Sequence, residues 1–151
     1  MSLTFRLAEA NDLEKLVEML ADDELGAERE DNSRPLNKRY LDAFAAIDSD
    51  PNNELVIAEN GALLVGMMQL TFIPYLSRLG AWRCLIESVR VHRAYRGRGY
   101  GRAMFERAIK RAREKNCNLV QLTSDKQREG ALGFYRSLGF EATHEGFKLK
   151  L

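Results

Sequence analysis

A strand-like stretch from Leu85 to Val91, the run Arg96-Gly97-Arg98-Gly99-Tyr100-Gly101 and a helix-like stretch from Arg102 to Lys115 follow one another in the chain. This succession constrains the fold more than any other feature. Three glycines at alternate positions let the backbone approach a ligand without Cβ atoms in the way, and the helix that follows leaves its first amides unpaired. Those amides and the helix dipole favour an anion such as a pyrophosphate. A P-loop needs Gly-Lys-Ser/Thr to place an ammonium and a magnesium ligand, and the chain has no such tripeptide. The dinucleotide fingerprint G-x-G-x-x-G fails as well: the third glycine comes one residue early, and His92 to Tyr95 intervenes after the strand.

Around this run the hydrophobic pattern predicts alternating elements. Thr4 to Leu7 alternates like a short strand, and Asn11 or Asp12 caps a helix through Leu13, Leu16, Val17 and Leu20. Ala21 to Pro35 is acidic and polar and reads as a mobile connection, after which Leu36 to Ile47 resumes helical spacing. Glu54 to Glu59 and Ala62 to Ile73 read as a hairpin turning at Asn60-Gly61. Asn118 to Thr123 is a further strand, Arg128 to Leu138 a helix stopped by Gly139, and Phe140–His144 with Phe147–Leu151 a closing hairpin. The expectation is an α/β (α+β) fold: a mixed central sheet of six to seven strands flanked by about four helices.

A chain of 151 residues is long enough for one core, so a single domain over residues 1–151 is expected. Hydrophobic residues at 45% and only three prolines argue against global disorder. No apolar stretch approaches the length of a membrane span and the first residues lack the pattern of a signal peptide, so the expectation is a cytoplasmic protein with no membrane partner. Cys84 and Cys117 form no metal-ligand spacing and read as reduced thiols. Charge is segregated: residues 1–60 carry 15 acids against 6 Lys/Arg, and residues 90–115 carry 10 Lys/Arg against 2 acids. The basic block coincides with the glycine run and attracts a polyanion, or is simply a solvated helix face.

The run also matches Arg/Gln-x-x-Gly-x-Gly/Ala through Arg96, Gly99 and Gly101. With Ile86-Glu87, Val89-Arg90-Val91-His92 and Tyr95-Arg96-Gly97 upstream, and Ala131, Phe134-Tyr135 and Leu138-Gly139-Phe140 downstream, the chain resembles the GNAT superfamily of acetyl-CoA-dependent N-acetyltransferases. The resemblance extends from about Leu63 to Phe140. It implies the GNAT fold, acetyl-CoA as cosubstrate, and backbone groups of the Val89-Arg90-Val91 strand offered to the pantetheine arm. The amides of Gly97, Arg98, Gly99, Tyr100, Gly101 and Arg102 would wrap the pyrophosphate. The family commonly forms dimers, which makes a homodimer the implied assembly.

Acetyl transfer to an amine needs a neutral amine, support for an oxyanion and a proton for the departing thiolate. Glu87 is the candidate base: a carboxylate in an otherwise apolar strand is costly to bury, and its pKa tends to rise. An ion pair with Arg83 or Arg90 is the alternative use of that group. Tyr135 occupies the family position whose hydroxyl protonates the thiolate; a residue packed on the sheet, or one touching only the sulfur, is the alternative. Where many members carry Asn three residues before the alanine, this chain has Arg128, and Ser124, Asp125 or Lys126 would have to substitute. His92 and His144 are isolated, so no metal site is expected.

The acidic residues Asp22, Asp23, Glu24, Glu28 and Glu30 suit a cationic amine or a merely solvated loop. Arg78, Arg83 and Lys148 would suit an anion, as the resemblance of the C-terminal segment to aminoalkylphosphonate N-acetyltransferases implies. The expected partner is a small-molecule primary amine, with a protein N-terminus or lysine as the alternative within the class. From other classes come a non-catalytic acetyl-CoA sensor and a nucleic-acid-binding helix over Arg90 to Lys115. No nucleic-acid partner is expected, because that block lacks interleaved aromatics and a helix-turn-helix signature.

Overall fold

The computed structural model describes residues 2–151. The backbone divides into two compact units, one ending at Gln121 and one spanning Leu122–Leu151. In the first unit β1 (Thr4–Leu7) and a 3-10 turn (Ala10–Asp12) precede α1 (Leu13–Ala21), α2 (Gly26–Arg29) and α3 (Lys38–Ser49). The strands β2 (Asn53–Asn60) and β3 (Leu63–Pro74) follow, then the single turn α4 (Ser77–Gly80) and β4 (Trp82–Val91). A 3-10 turn (Arg93–Tyr95), α5 (Tyr100–Glu114) and β5 (Leu119–Gln121) complete it.

The five strands form one sheet in sequence order. β1 to β4 pair antiparallel, whereas β4 and β5 pair parallel, joined by α5 as a crossover. The mixed sheet expected from alternating hairpin and helix connections is therefore present. Period-two alternation divides each strand between two faces. Ile57 and Met67 face α1, where Leu13, Leu16 and Met19 cover them and Leu20, Phe44 and Leu55 pack at the margin. The opposite row includes Val56, Met68, Leu70, Phe72, Cys84 and Ile86, all buried. Glu54, opposite Leu70 in the register, pairs with Arg111 of α5 at 2.7 Å, which identifies this as the α5 face.

α5 presents Met104, Phe105, Ala108 and Ala112 as a buried stripe, the helical spacing expected of a core-facing helix. Full burial of each large side chain contributes about 1.5–3 kcal/mol, so the two apolar layers dominate the stability of this unit. Gly66 is needed for a close approach: a Cβ there would lie 2.7 Å from Met104 Sδ and 2.9 Å from the Arg90 carbonyl oxygen.

The second unit contains α6 (Ala131–Ser137), entered from Gly130 and ended at Gly139, whose φ is +97°. Tyr135 packs edge-on against Phe134 and Phe140, with centroids 5.6 and 6.2 Å apart. The closing hairpin expected over Phe140–His144 and Phe147–Leu151 is not formed. Among the described residues there are five strands rather than six or seven. The alternation is real, but Phe147, Leu149 and Leu151 are all exposed, and no ladder partner within the unit pairs their backbone. The acidic connection also differs from the expected mobile loop, since it contains α2 and a set of ion pairs described below.

Candidate active site

The centre of β4 is bulged. Met67 pairs with Arg90 and Gln69 with Glu87, so Ser88 and Val89 together oppose Met68. Ser88 takes up the extra residue with φ +54°, a left-handed conformation uncommon for a side chain of any kind. The insertion shifts the alternation by one, and Glu87 and Arg90, three residues apart, consequently share the α1 face. Glu87 is exposed, in contrast to the burial expected for it, because this part of the face lies beyond the apolar residues under α1. The expected alternative partners are engaged elsewhere: Arg90 Nε lies 3.0 Å from Asp23 Oδ2, and Arg83 donates to Gln121 Oε1 at 3.1 Å while stacking over Tyr75.

On its outer edge β4 pairs with β5 only from Arg83 to Leu85. Beyond Leu85 no strand among the described residues continues this ladder. Val91 stands opposite Gly66, next to His92, whose N–H donates to Val65 O at 2.8 Å; this phase turns the Val91 N–H and C=O away from β3. The Val89 carbonyl accepts from Arg90 Nη1 at 2.9 Å and the Val91 carbonyl from Arg96 Nε at 3.0 Å.

The glycine run then wraps into α5. Gly97 and Gly99 have φ of +77° and +81°, which other residues adopt only with strain, and a Cβ built on Gly97, Gly99 or Gly101 meets no atom within 4 Å. Gly99 is the N-cap and makes no side-chain cap, and the first backbone bond of the helix runs from Ala103 N to Gly99 O. The amides of Tyr100 and Gly101 are thus left without an acceptor among the described residues. Arg98 and Arg102 are exposed at the same turn. The Tyr100 side chain, in contrast, is core: it is 3% exposed and its hydroxyl accepts from Asn60 Nδ2. Open space, two unpaired amides at a 15-residue helix and arginines beside them fit a pyrophosphate.

The loop is braced from the acidic segment. Arg96 Nη2 donates to the Asp22 carbonyl at 3.2 Å, Arg93 lies 3.7 Å from the Asp22 carboxylate, and Asp23 holds Arg90. The opposite charges segregated along the sequence therefore meet in the fold, and Asp22 and Asp23 face the glycine loop and β4 rather than standing as a solvated tail.

Two polar residues that the sequence does not single out lie beside Glu87 on its face of the sheet. Gln69 is its register partner, and Asn53 is the partner of Thr71. Asn53 Oδ1 accepts from Gln69 Nε2 at 2.9 Å and from Thr71 Oγ1 at 3.3 Å. Polar residues alternating with apolar ones look like any half-solvated strand, and only the register reveals the row.

Tyr135 lies in the second unit on α6, half-buried. Of the residues considered in place of the usual Asn, Asp125 accepts from the Gln127 amide at 2.9 Å and Lys126 lies 3.5 Å from Glu145. His92 caps its 3-10 turn by accepting from the Ala94 amide, and His144 contacts Thr143. Among the described residues no three His, Cys, Asp or Glu groups gather as metal ligands, and no helix is long and apolar enough to cross a membrane. Burial pushes the Cys84 thiol up to about 12, so it stays protonated at neutral pH.

A bulged strand with an open edge thus runs through a glycine turn into a helix N-terminus. The acetyltransferase (GNAT) family model matches residues 13–140, and the chain belongs to this family. Among solved structures it is similar to a protein of Bacillus halodurans C-125 described as a transcriptional regulator, with 52% identity, 99% of this chain and 100% of that one covered, and a TM-score of 0.96. A putative acetyltransferase from Agrobacterium tumefaciens str. C58 is 28% identical over 98% of this chain and 99% of that one, with a TM-score of 0.84. The glucosamine 6-phosphate N-acetyltransferase of Trypanosoma brucei brucei is 36% identical over 88 residues, 58% of each chain. The chain spans between 26% and 58% of the length of the first curated relatives it matches.

Proposed function

We propose that this chain is an N-acetyltransferase that moves the acetyl group of acetyl-CoA to a primary amine of a small molecule by direct attack in a ternary complex. The observation that carries the reading is the outer edge of β4, which no strand among the described residues pairs beyond Leu85, which is bulged at Ser88 and Val89, and which continues into the glycine turn. Acetyl-CoA supplies an activated acyl thioester when bound. The amides from Gly97 to Arg102 hold its pyrophosphate, Arg96 braces that turn, and the backbone of Val89, Arg90 and Val91 aligns the pantetheine arm. Glu87 accepts the proton of the attacking amine, directly or through a water, and the Tyr135 hydroxyl returns a proton to the departing sulfur. Backbone amides of β4 support the oxyanion without a dedicated side chain. The name of the trypanosomal relative is consistent with a small-molecule acceptor.

Thiol release from acetyl-CoA across a library of primary amines, with mass detection of the product, tests this directly. Coenzyme A is expected to raise the melting temperature, whereas NAD and ATP are not. Glu87→Gln is expected to lower kcat by about 10²-fold or more. An unchanged rate in this variant removes Glu87 from the chemistry. The name of the Bacillus neighbour favours a second reading, a role in transcription through DNA binding. Titration with DNA across a salt series separates the two, since sequence-dependent binding supports the second reading and absent binding sinks it.

A further inference from the structure

The polar row beside Glu87 has a defined direction. The Asp50 carboxylate only accepts hydrogen bonds, and Asn53 Nδ2 faces its Oδ2 at 3.4 Å. This orients the Asn53 amide with Oδ1 turned away from Asp50, where it receives Gln69 Nε2 at 2.9 Å and the Thr71 hydroxyl at 3.3 Å. Gln69 thereby directs one N–H of its NH2 group at Asn53, and its Oε1 has no donor among the described residues. Its register partner is Glu87, whose carboxylate also has no hydrogen bond or ion pair there. Directly opposed side chains on one sheet face stand about 5 Å apart at Cβ. Two oxygen acceptors without donors thus stand side by side on one face of the sheet.

We infer that Gln69 Oε1 and the Glu87 carboxylate form a two-oxygen seat for the N–H donors of the acceptor's ammonium group, with Asp50 and Asn53 as the positioning residues that fix the Gln69 amide. The inference rests on the acetyltransferase reading for what occupies the seat. A primary ammonium brings three N–H donors and one positive charge, which suits one carboxylate and one neutral acceptor. An anion would instead face the Glu87 carboxylate, a like charge. The seat therefore selects the amine end of the acceptor, whatever the remainder of that molecule carries.

The test uses the full chain saturated with coenzyme A, titrated by calorimetry or NMR with propylammonium and with trimethyl(propyl)ammonium, probes of equal charge that differ in N–H donors. Propylammonium is expected to bind about tenfold tighter or better, the loss of a charge-assisted hydrogen bond being worth that much. Gln69→Met is expected to collapse this ratio, Gln69→Glu to restore it, and Asn53→Leu to lower it without touching the seat. Equal binding of the two probes by the wild type, or an unchanged ratio in Gln69→Met, overturns the seat. An unchanged ratio in Asn53→Leu overturns the positioning role. Wild-type protein that discriminates the probes yet acetylates no amine in the library supports the seat and overturns the acetyltransferase reading instead.

Discussion

Gly66 shows how one hydrogen atom in place of a methyl couples the core to the candidate site. Its missing Cβ makes room for Met104 of α5 on one side and for the Arg90 carbonyl of β4 on the other. The methionine end of this contact can yield, but a backbone carbonyl 2.9 Å away cannot without moving β4. Gly66→Ala is therefore expected to cost about 1–3 kcal/mol, measured as a lower urea midpoint at unchanged slope, and to weaken coenzyme A binding. Cys84, fully buried on the same sheet, is expected to resist iodoacetamide at pH 8 in the folded protein and to react in denaturant, as read by mass spectrometry. Rapid native labelling would contradict a thiol pushed up to about 12.

Between elements, the ion pairs have specific attachment points. Asp23, after α1, holds Arg90 of β4, and both side chains are only 14% exposed. Asp23→Asn leaves a largely buried guanidinium without its counter-charge, and is expected to cost about 2 kcal/mol and to raise the KM for acetyl-CoA as the strand edge loosens. At the start of the chain, Arg6 donates to both Asp12 oxygens at 2.8 and 2.9 Å and to Glu59 at 2.7 Å, tying β1 to the turn before α1 and to β2. The Arg6 hydrogen bonds hold the Asp12 carboxyl below its ordinary value, against an opposing effect of burial. A depressed folded value means this contribution is complete above about pH 4 and is lost as pH falls through the folded value. Asp12→Asn is expected to flatten the loss of stability on acidification below that pH, followed by thermal melts. Such pairs between distant residues leave no trace in local pattern. The helices around α1, α3 and α5 and the hairpin at Asn60-Gly61 were legible because periodicity and turn chemistry are local. The β4 bulge was not, since Ser88 carries no sequence mark of a left-handed residue, and the bulge decides which way Glu87 and Arg90 point. Gln69 and Asn53 were missed for the same reason: their significance is a matter of register.

At the scale of the whole molecule, the two units differ in how their backbone is secured. The β2–β3–β4 ladders of the first are long, each interrupted by one bulge, whereas residues 141–151 of the second are exposed and belong to no ladder. Hydrogen exchange is expected to show slow amides in β2, β3 and β4 and unprotected ones from 141 onward. Protection of the latter would mean that the alternating segment ending in Phe147, Leu149 and Leu151 finds a partner strand in solution.

The open edge of β4 carries a second consequence. A strand with unsatisfied backbone groups is a template on which another chain can add a strand, the first step of aggregation. Here the kink at Ser88 breaks the straight run an incoming strand would need, and two guanidinium groups already sit on the Val89 and Val91 carbonyls. The edge is short, bent and flanked by guanidinium groups, features that disfavour the addition of a second strand. The bulge that leaves this edge unladdered also guards it against polymerisation.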